Sequence, residues 1–350
     1  MSATLPSSAM LRAADRSEGV WLSAWRRFKS DSVGLVSLAI VIAFLLLIAL
    51  SALGLVAGNW QREVGVPYAN PTFLGPTPPP PAAQIEEGKG PPVDISAVDP
   101  LAPRYAEWAE RASKLKVDEE VRDNTLPLGG DRLGRDVLAK AIKGAEISIF
   151  VGVLAALLAT AIGTALGAVS GFLGGRVGDL LEWVYNVFTS IPGILLIFAF
   201  AAVFGRGTGT VVLILGLTGW TGIYRLVRAE FLKHAVRDYV RAAEAIGASV
   251  GSRMFRHILP NVSHVVLVQL SILTVGFIKA EVILSYLGLG VSIDQVSWGT
   301  MLAESQVELL LGHWWQLATA TVFMAVFVTA FSLFTDALRD ALDPKLRGLE

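Results

Sequence analysis

Few side chains in this sequence are placed to do chemistry. The chain of 350 residues has no cysteine, which excludes thiol catalysis, disulfides and cysteine-based metal sites. Its four histidines show no close metal-ligand spacing; they are His234, His257, His264 and His313. The stretch 129–135 is glycine-rich but lacks the Lys-Ser/Thr ending of a nucleotide phosphate loop. We therefore expect no catalytic residue, cofactor or metal in this chain.

Two charged residues, Lys279 and Glu281, stand in the otherwise apolar stretch Val265–Leu287. A charge at membrane depth usually faces protein or water, so both are candidates for lining a pathway. Two alternatives stay open: the side chains reach the outer membrane surface, or they pair with another subunit. We expect no mutual ion pair, because residues two apart on a helix point in different directions.

The composition indicates an integral membrane protein. Hydrophobic residues make up 53 % of the chain and charged residues 17 %, whereas soluble domains carry about 25 % charged residues. The 29 basic and 30 acidic residues nearly cancel, so no global field favours nucleic-acid binding.

The apolar residues gather in six blocks, each near the length of about 20 residues that a membrane-crossing helix needs. The first follows a basic and aromatic flank, and we predict an uncleaved anchor. The third contains Glu182 and Pro192, so its ends are the least defined. The predicted fold is an all-α polytopic membrane protein with spans at Val33–Gly58, Ile147–Phe172, Leu180–Phe204, Thr210–Val227, Val265–Leu287 and Trp315–Phe334.

The distribution of Lys and Arg predicts the orientation, because short cytoplasmic loops are enriched in both. Seven basic residues lie between Arg225 and Arg256, and none lies from Val282 to Leu338. Arg206 is an exception on the outer side. Both termini are predicted inside, with segments 1–32 (cytoplasmic), 33–58 (first span), 59–146 (external insert), 147–334 (core, with a loop at 228–263) and 335–350 (cytoplasmic tail).

The external insert has two sequence features. Proline clusters at 78–81 and 91–92 favour extended, irregular chain. Arg104–Arg122 has apolar residues at helical spacing and predicts an amphipathic helix. The insert either contacts a partner or is a solvated loop.

A stripe of small residues marks the second span. A small residue recurs every fourth position, which lets another helix approach closely. A packing seam is the main interpretation and a gating hinge the alternative; the residues are Ala155, Ala159, Gly163, Gly167, Gly171 and Gly175.

The loop between the fourth and fifth spans reads as two short helices joined by a turn. Tyr239, Ala242, Ala243 and Ile246 form one face of the first helix, and Gly247 is placed to end it. Ser249 is a predicted cap for the second helix. Pro260 is predicted to close that helix.

The pattern Ala242-Ala243, three residues, Gly247, then Leu259-Pro260 resembles the EAA loop of ABC importer permeases. Arg241 stands where that family has glutamate, so a contact by that carboxylate is not carried over. The resemblance implies a type I ABC importer permease fold whose coupling helix docks in a cytoplasmic ATPase. It assigns ATPase coupling to Tyr239, Arg241, Ala242, Ala243, Gly247, Ile258, Leu259 and Pro260.

Further segments resemble the dipeptide/oligopeptide branch, in its C-type half. They are Leu128–Leu138, Leu284–Val291, Trp298–Leu302 and the tail Asp336–Pro344. Thr335, directly before this tail, stands where the family has glycine. The likeness covers roughly 126–347 and the first span.

The resemblance implies one transmembrane subunit of an ATP-driven importer in the bacterial inner membrane. Its expected partners are a second homologous permease, two cytoplasmic ATPases holding ATP and Mg, an external binding protein and membrane lipid. Peptides are the expected cargo; nickel chelates, glutathione, opines and oligosaccharides are alternatives. An ion-coupled secondary transporter and a membrane anchor without transport are the rivals from other classes.

Overall fold

The computed structural model describes residues 20–78, 99–114 and 121–342. The predictions for residues 1–19, for the proline clusters within 79–98 and for the tail 343–350 lie outside these ranges. The chain divides into two compact units, Met1–Trp60 with Leu138–Glu350, and Gln61–Val137. The helices of the described residues are α1 Val20–Ser30, α2 Ser32–Ala52, α3 Tyr105–Lys114, α4 Val137–Leu173, α5 Gly175–Thr189, α6 Gly193–Phe204, α7 Thr208–Thr218, α8 Thr221–Ala235, α9 Asp238–Ala245, α10 Val250–Tyr286, α11 Trp298–Leu310 and α12 Trp315–Leu342.

Five helical segments in the described part of the chain are long and apolar enough to cross a membrane, or six if the bent pair α5 and α6 is one span. This agrees with the six predicted spans, but several ends differ. The first span ends at Ala52 and not at Gly58, because Leu53 caps the helix and Gly54 has a φ of +73°. The last helix continues to Leu342, so the predicted tail begins as helix.

The third predicted span, Leu180–Phe204, is not one helix. It is bent by 83° between α5 and α6. Pro192 at the break has no N–H to donate, and its ψ of 125° is not helical. The residue before a proline is also pushed out of the helical region, so the chain turns here.

The predicted fourth span is extended at both ends. Helices α7 and α8 follow each other in one 28-residue segment, Thr208–Ala235, and not only over 210–227. The C-terminal end of this segment is the start of the loop that the sequence analysis singled out.

The small-residue stripe of α4 packs against α8, as a seam requires. A Cβ added at Gly167 would lie 2.7 Å from the carbonyl oxygen of Tyr224, and one at Gly171 would lie 2.5 Å from that of Arg228. The backbones touch because no side chains separate them. Gly175 does not belong to the stripe, since it begins α5 after the end of α4 and has open space around it.

The C-terminal end of α12 packs against α1 and the start of α2. Phe28 of α1 is buried against Phe334, with ring centroids 5.9 Å apart. A Cβ added at Gly34 of α2 would lie 2.7 Å from the Cβ of Ala337. The basic and aromatic flank before the first span is therefore a helix packed on the last one.

The unit Gln61–Val137 contains two short parallel strands, β1 Gly65–Pro71 and β2 Asp123–Leu126. These strands were not predicted, since β1 carries two prolines and little alternation. Of the predicted amphipathic helix 104–122, α3 covers Tyr105–Lys114, residues 115–120 lie outside the described ranges, and the end is wrong because residues 121–122 are not helical and Asp123 lies in a strand. The predicted insert also ends too late, because α4 begins at Val137 and not after residue 146.

Within this unit, Leu128–Leu138 forms a closed loop around Asp131, here called the Asp131 loop. The buried Asp131 carboxylate accepts hydrogen bonds from the backbone N–H groups of Leu133 and Arg135, both at 2.9 Å, and pairs with the Arg135 guanidinium at 2.6 Å. The loop is also bound to β1, since Gly65 N–H donates to the Gly134 carbonyl at 2.9 Å and Gly130 N–H donates to the Ala69 carbonyl at 2.7 Å. The glycine-rich stretch is thus a structural loop.

Candidate coupling surface and buried polar clusters

Helix α9, Asp238–Ala245, contacts the rest of the protein through two buried apolar residues. Val240 and Ala243 are buried, and Val240 packs in a core with Phe231 and Met254. Asp238 places its negative charge in the first turn, where the helix dipole favours it. The rest of this short helix is left facing outward.

The first loop helix ends where the sequence predicts. Gly247 has a φ of +88°, which glycine adopts without the cost that a Cβ brings. Its N–H donates to the carbonyl of Glu244, and the N–H of Ala248 donates to that of Ala243, both at 2.9 Å. Ser249 then caps α10 by accepting a hydrogen bond from Ser252 N–H at 3.3 Å. We call Ile246–Ser249 the Gly247 turn.

The face predicted for the first loop helix is mostly an exposed one. Of its four residues only Ala243 is buried, together with Val240. Ala242 is exposed, Tyr239 is 38 % exposed and Ile246 is 86 % exposed. Most of this face is therefore open to a partner.

The second loop helix does not stop at Pro260. Helix α10 runs on as one segment from Val250 to Tyr286. The turn Arg253–Ile258 is a π-helix, in which Leu259 N–H donates to the carbonyl of Met254, five residues back. The wider turn accommodates the proline, which has no N–H and whose ring would clash in a regular helix.

The residues around Pro260 do not share one environment. Ile258 is fully buried in the loop core, Leu259 is half-buried and Pro260 is exposed. Arg241, predicted to take part in coupling, is exposed on α9. Four of the residues predicted for coupling are therefore exposed, and two are buried. The exposed ones are Tyr239, Arg241, Ala242 and Pro260, and the buried ones are Ala243 and Ile258.

Polar contacts fix α9 against its neighbours. The Glu244 carboxylate pairs with Arg253 of α10 at 2.6 Å, and that guanidinium lies over the Phe172 ring at 5.4 Å. The Tyr239 hydroxyl is 2.8 Å from Nδ1 of His234. Partial burial raises the pKa of Tyr239 above its usual range. The exposed face is consequently presented by a rigid base.

The two charged residues of the fifth span have different surroundings. Glu281 is fully buried, and Ser285 Oγ donates to its carboxylate at 2.6 Å. The hydroxyls of Ser148 and Ser297 also face it, although its Oε2 atom makes no hydrogen bond of good geometry. Glu281 is therefore enclosed by protein and does not reach the surface. Lys279 is exposed and remains the candidate pathway residue.

The Glu281 cluster joins three parts of the core. Ser148 lies on α4, and its hydroxyl accepts a hydrogen bond from Trp298 N–H at 3.2 Å. Ser297 caps α11, where it exchanges hydrogen bonds with Thr300 in a capping box. The sequence analysis did not predict α11, although Ser297 followed by Thr300 is the signal that marks its start.

A second buried cluster was missed by the sequence analysis. Lys140 of α4 is fully buried, and its ammonium contacts Glu304 at 2.5 Å and Gln316 at 3.2 Å. Gln316 in turn donates to the Met301 carbonyl at 3.2 Å. Lys140 was assigned to the external insert, yet the helical spacing of the buried Val137 and Ala141 around it could have shown that α4 begins earlier.

Neither cluster resembles a metal or catalytic centre. Within residues 20–78, 99–114 and 121–342, no group of three or more His, Asp or Glu side chains is placed to hold a metal ion. The clusters join helices through hydrogen bonds and one ion pair. The exposed face of α9 and the Gly247 turn is instead suited to contact with another protein.

Comparison with known proteins agrees with this arrangement. Residues 163–348, more than half of the chain, match the family described as "Binding-protein-dependent transport system inner membrane component". The dipeptide transport system permease protein DppC of Bacillus subtilis (strain 168) is 38 % identical over 237 residues, 66 % of this chain and 74 % of that protein.

Two further proteins are similar to this chain, one in sequence and one in structure. The oligopeptide transport system permease protein OppC of the same organism is 37 % identical over 247 residues, 71 % of this chain and 81 % of that protein. A solved structure of the MetNI methionine ABC transporter, in inward-facing conformations, aligns with a TM-score of 0.48 at 16 % identity, over 58 % of this chain and 96 % of that one. On the sequence relatives and the family match, this chain belongs to the binding-protein-dependent transport system inner membrane components, the multi-pass ABC importer permeases, in the branch that contains DppC and OppC.

Proposed function

We propose that this chain forms half of the translocation pathway of an ATP-driven peptide importer and receives its driving force through α9 and the Gly247 turn. One observation carries the proposal. Ile246 in the Gly247 turn, here called the tip, is 86 % exposed, and the helix before it is fixed by Val240, Ala243 and the Glu244–Arg253 ion pair. A rigid base under an exposed tip suits transmission of movement from a docked partner.

The proposed assembly contains a second homologous permease, two cytoplasmic ATPases that bind ATP and Mg, and an external binding protein that delivers the cargo. ATP binding draws the ATPases together, and their movement at the docking surfaces turns the permease halves between inward and outward openings. Both termini lie in the cytoplasm. Peptides are the proposed cargo because the DppC and OppC relatives are named for dipeptide and oligopeptide transport.

Substitution of Gly247 by valine tests the docking role. The left-handed backbone at Gly247 disfavours any side chain, and valine would distort the tip without touching the core, since no atom lies within 4 Å of an added Cβ. We expect the permease pair to assemble in the membrane while ATPase retention on affinity purification and peptide uptake into vesicles are both lost. The control is Gly209→Val, where the space is also open but φ is not left-handed. Full ATPase retention and normal uptake in Gly247→Val would refute the docking role.

Single cysteines test the proposed orientation in this cysteine-free chain. Cysteines at Ser30, Ala248 and Gly348 should be labelled only from the inside, and those at Gly88 and Gln295 only from the outside. Labelling of position 248 from the outside would overturn the orientation and the docking role together. Uptake of labelled dipeptides, competed by glutathione or by a nickel chelate, separates peptide cargo from the alternatives.

A further inference from the structure

A polar cleft lies between α8, the middle of α10 and the C-terminal end of α12. Its volume is about 270 Å³, and its polar lining comes from His264, Gln269 and Arg339. The rest of the lining is apolar and includes Val268, Ile272 and Leu342. Arg339 belongs to the tail motif, to which the transport role assigns nothing. The cleft thus combines a basic end with apolar walls.

The three polar side chains of the cleft are available to a ligand. Within the described residues, none of them forms a hydrogen bond or an ion pair with another side chain. His264 lies near a second histidine, His234. Asp336 and Asp340, the acidic neighbours of Arg339 on α12, do not line the cleft. The lining therefore carries the positive charge of Arg339 and no carboxylate.

The groups that α10 contributes to the cleft change from polar to apolar along the helix. At a rise of about 1.5 Å per residue, Gln269 lies about 7.5 Å and Ile272 about 12 Å farther along the helix than His264. Arg339 sits near the end of α12 at the same side as His264, and both line the cleft. From the proposed cytoplasmic side inward, the cleft offers the Arg339 guanidinium and the His264 imidazole, then the Gln269 amide, then apolar surface.

We propose that this cleft binds an anionic phospholipid of the inner leaflet. The phosphate faces Arg339 and His264, the ester carbonyls lie at the depth of the Gln269 amide, and an acyl chain follows Val268 and Ile272. Basic pockets between transmembrane helices at the cytoplasmic face commonly hold anionic head groups. A soluble anion would use the basic end but not the amide and the apolar wall beyond it. The proposal uses the proposed orientation but is independent of cargo and ATPase docking.

Lipid retention on the assembled transporter tests this site. The purified complex is equilibrated with vesicles of equal parts phosphatidylcholine and phosphatidylglycerol, recaptured in detergent and washed, and its retained lipid is measured by mass spectrometry. Wild type should retain phosphatidylglycerol in excess. Arg339→Gln should lower that excess about fivefold, as expected for one basic group at an anionic surface. Arg176→Gln, which removes a basic residue that does not line the cleft, is the matched control and should leave the excess unchanged.

A second variant separates a lipid from a free anion. Gln269→Leu should reduce retention of both lipids, because the ester carbonyls are common to them, whereas Arg339→Gln should reduce only the preference for phosphatidylglycerol. Unchanged lipid retention in Arg339→Gln and Gln269→Leu would overturn the proposal. Displacement of the bound lipid by inorganic phosphate alone would overturn it as well, since the cleft would then hold a free anion. Cysteine labelling reports the orientation separately, so failure here is distinguishable from failure of the topology.

Discussion

Two loops of this protein contain glycines with a left-handed backbone conformation, but the surroundings of these glycines differ. The Asp131 loop has Gly129 at φ +91° and Gly134 at φ +76°, and the Gly247 turn has Gly247 at φ +88°. An added Cβ at Gly134 would lie 2.0 Å from the Gly65 carbonyl oxygen, whereas one at Gly247 would meet nothing within 4 Å. The first glycine is required by what surrounds it, and the second leaves an open surface. Packing therefore explains the glycine in the Asp131 loop, whereas the glycine in the Gly247 turn leaves room for a partner.

Loss of Asp131 should have the largest effect. Asp131→Ala removes the acceptor of two backbone N–H groups and breaks the ion pair with Arg135, and removal of one partner from a buried ion pair costs about 3–5 kcal/mol. Limited proteolysis of the purified protein should cleave the unit Gln61–Val137 much faster, with ATPase retention unchanged. Asp123→Ala, at an exposed position of β2, is the control. Protection equal to wild type would mean that the loop is not held by this carboxylate.

A matched pair of glycine substitutions sharpens the contrast. Alanine at either Gly134 or Gly247 takes a left-handed backbone, at a cost of about 1 kcal/mol. Only Gly134→Ala also places a methyl group against the backbone of Gly65. Such overpacking lowers the free energy of unfolding by about 1–3 kcal/mol more. Chemical unfolding should show the larger loss of stability for Gly134→Ala. Equal losses for the two variants would remove the distinction between the crowded and the open glycine.

The smallest effect on stability should come from the exposed tip. Ile246→Ser changes a side chain that is 86 % exposed, so the free energy of unfolding should stay within about 0.5 kcal/mol of wild type. ATPase retention should nevertheless fall, because the tip loses apolar contact area. Leu310→Ser, at an 88 % exposed position of α11, is the control that should leave retention intact. A tip variant with normal retention would place the docking contacts elsewhere on the loop.

Local features of the sequence were predicted well, and long-range partners were not. The Gly247 turn and the Ser249 cap follow from rules that act within five residues, and the spans follow from runs of apolar residues. The Lys140 cluster was missed because its partners Glu304 and Gln316 lie 164 and 176 positions away. The break at Pro192 was only partly foreseen, since a proline marks a weak point in a helix without giving the angle. The burial of Glu281 depends on serines from α4 and from the start of α11, which no helical pattern brings together.

The continuity of α10 gives the proposed coupling role a mechanical consequence. This single helix of 37 residues begins beside the Gly247 turn and carries Glu281 and Ser285 near its other end. At about 1.5 Å per residue it is about 55 Å long, so a tilt of about 5° displaces one end by about 5 Å relative to the other. Its far end contacts α4 and α11 through the Glu281 cluster. If a docked partner moves the loop as proposed, the Glu281 cluster either moves together with its two neighbouring helices or breaks.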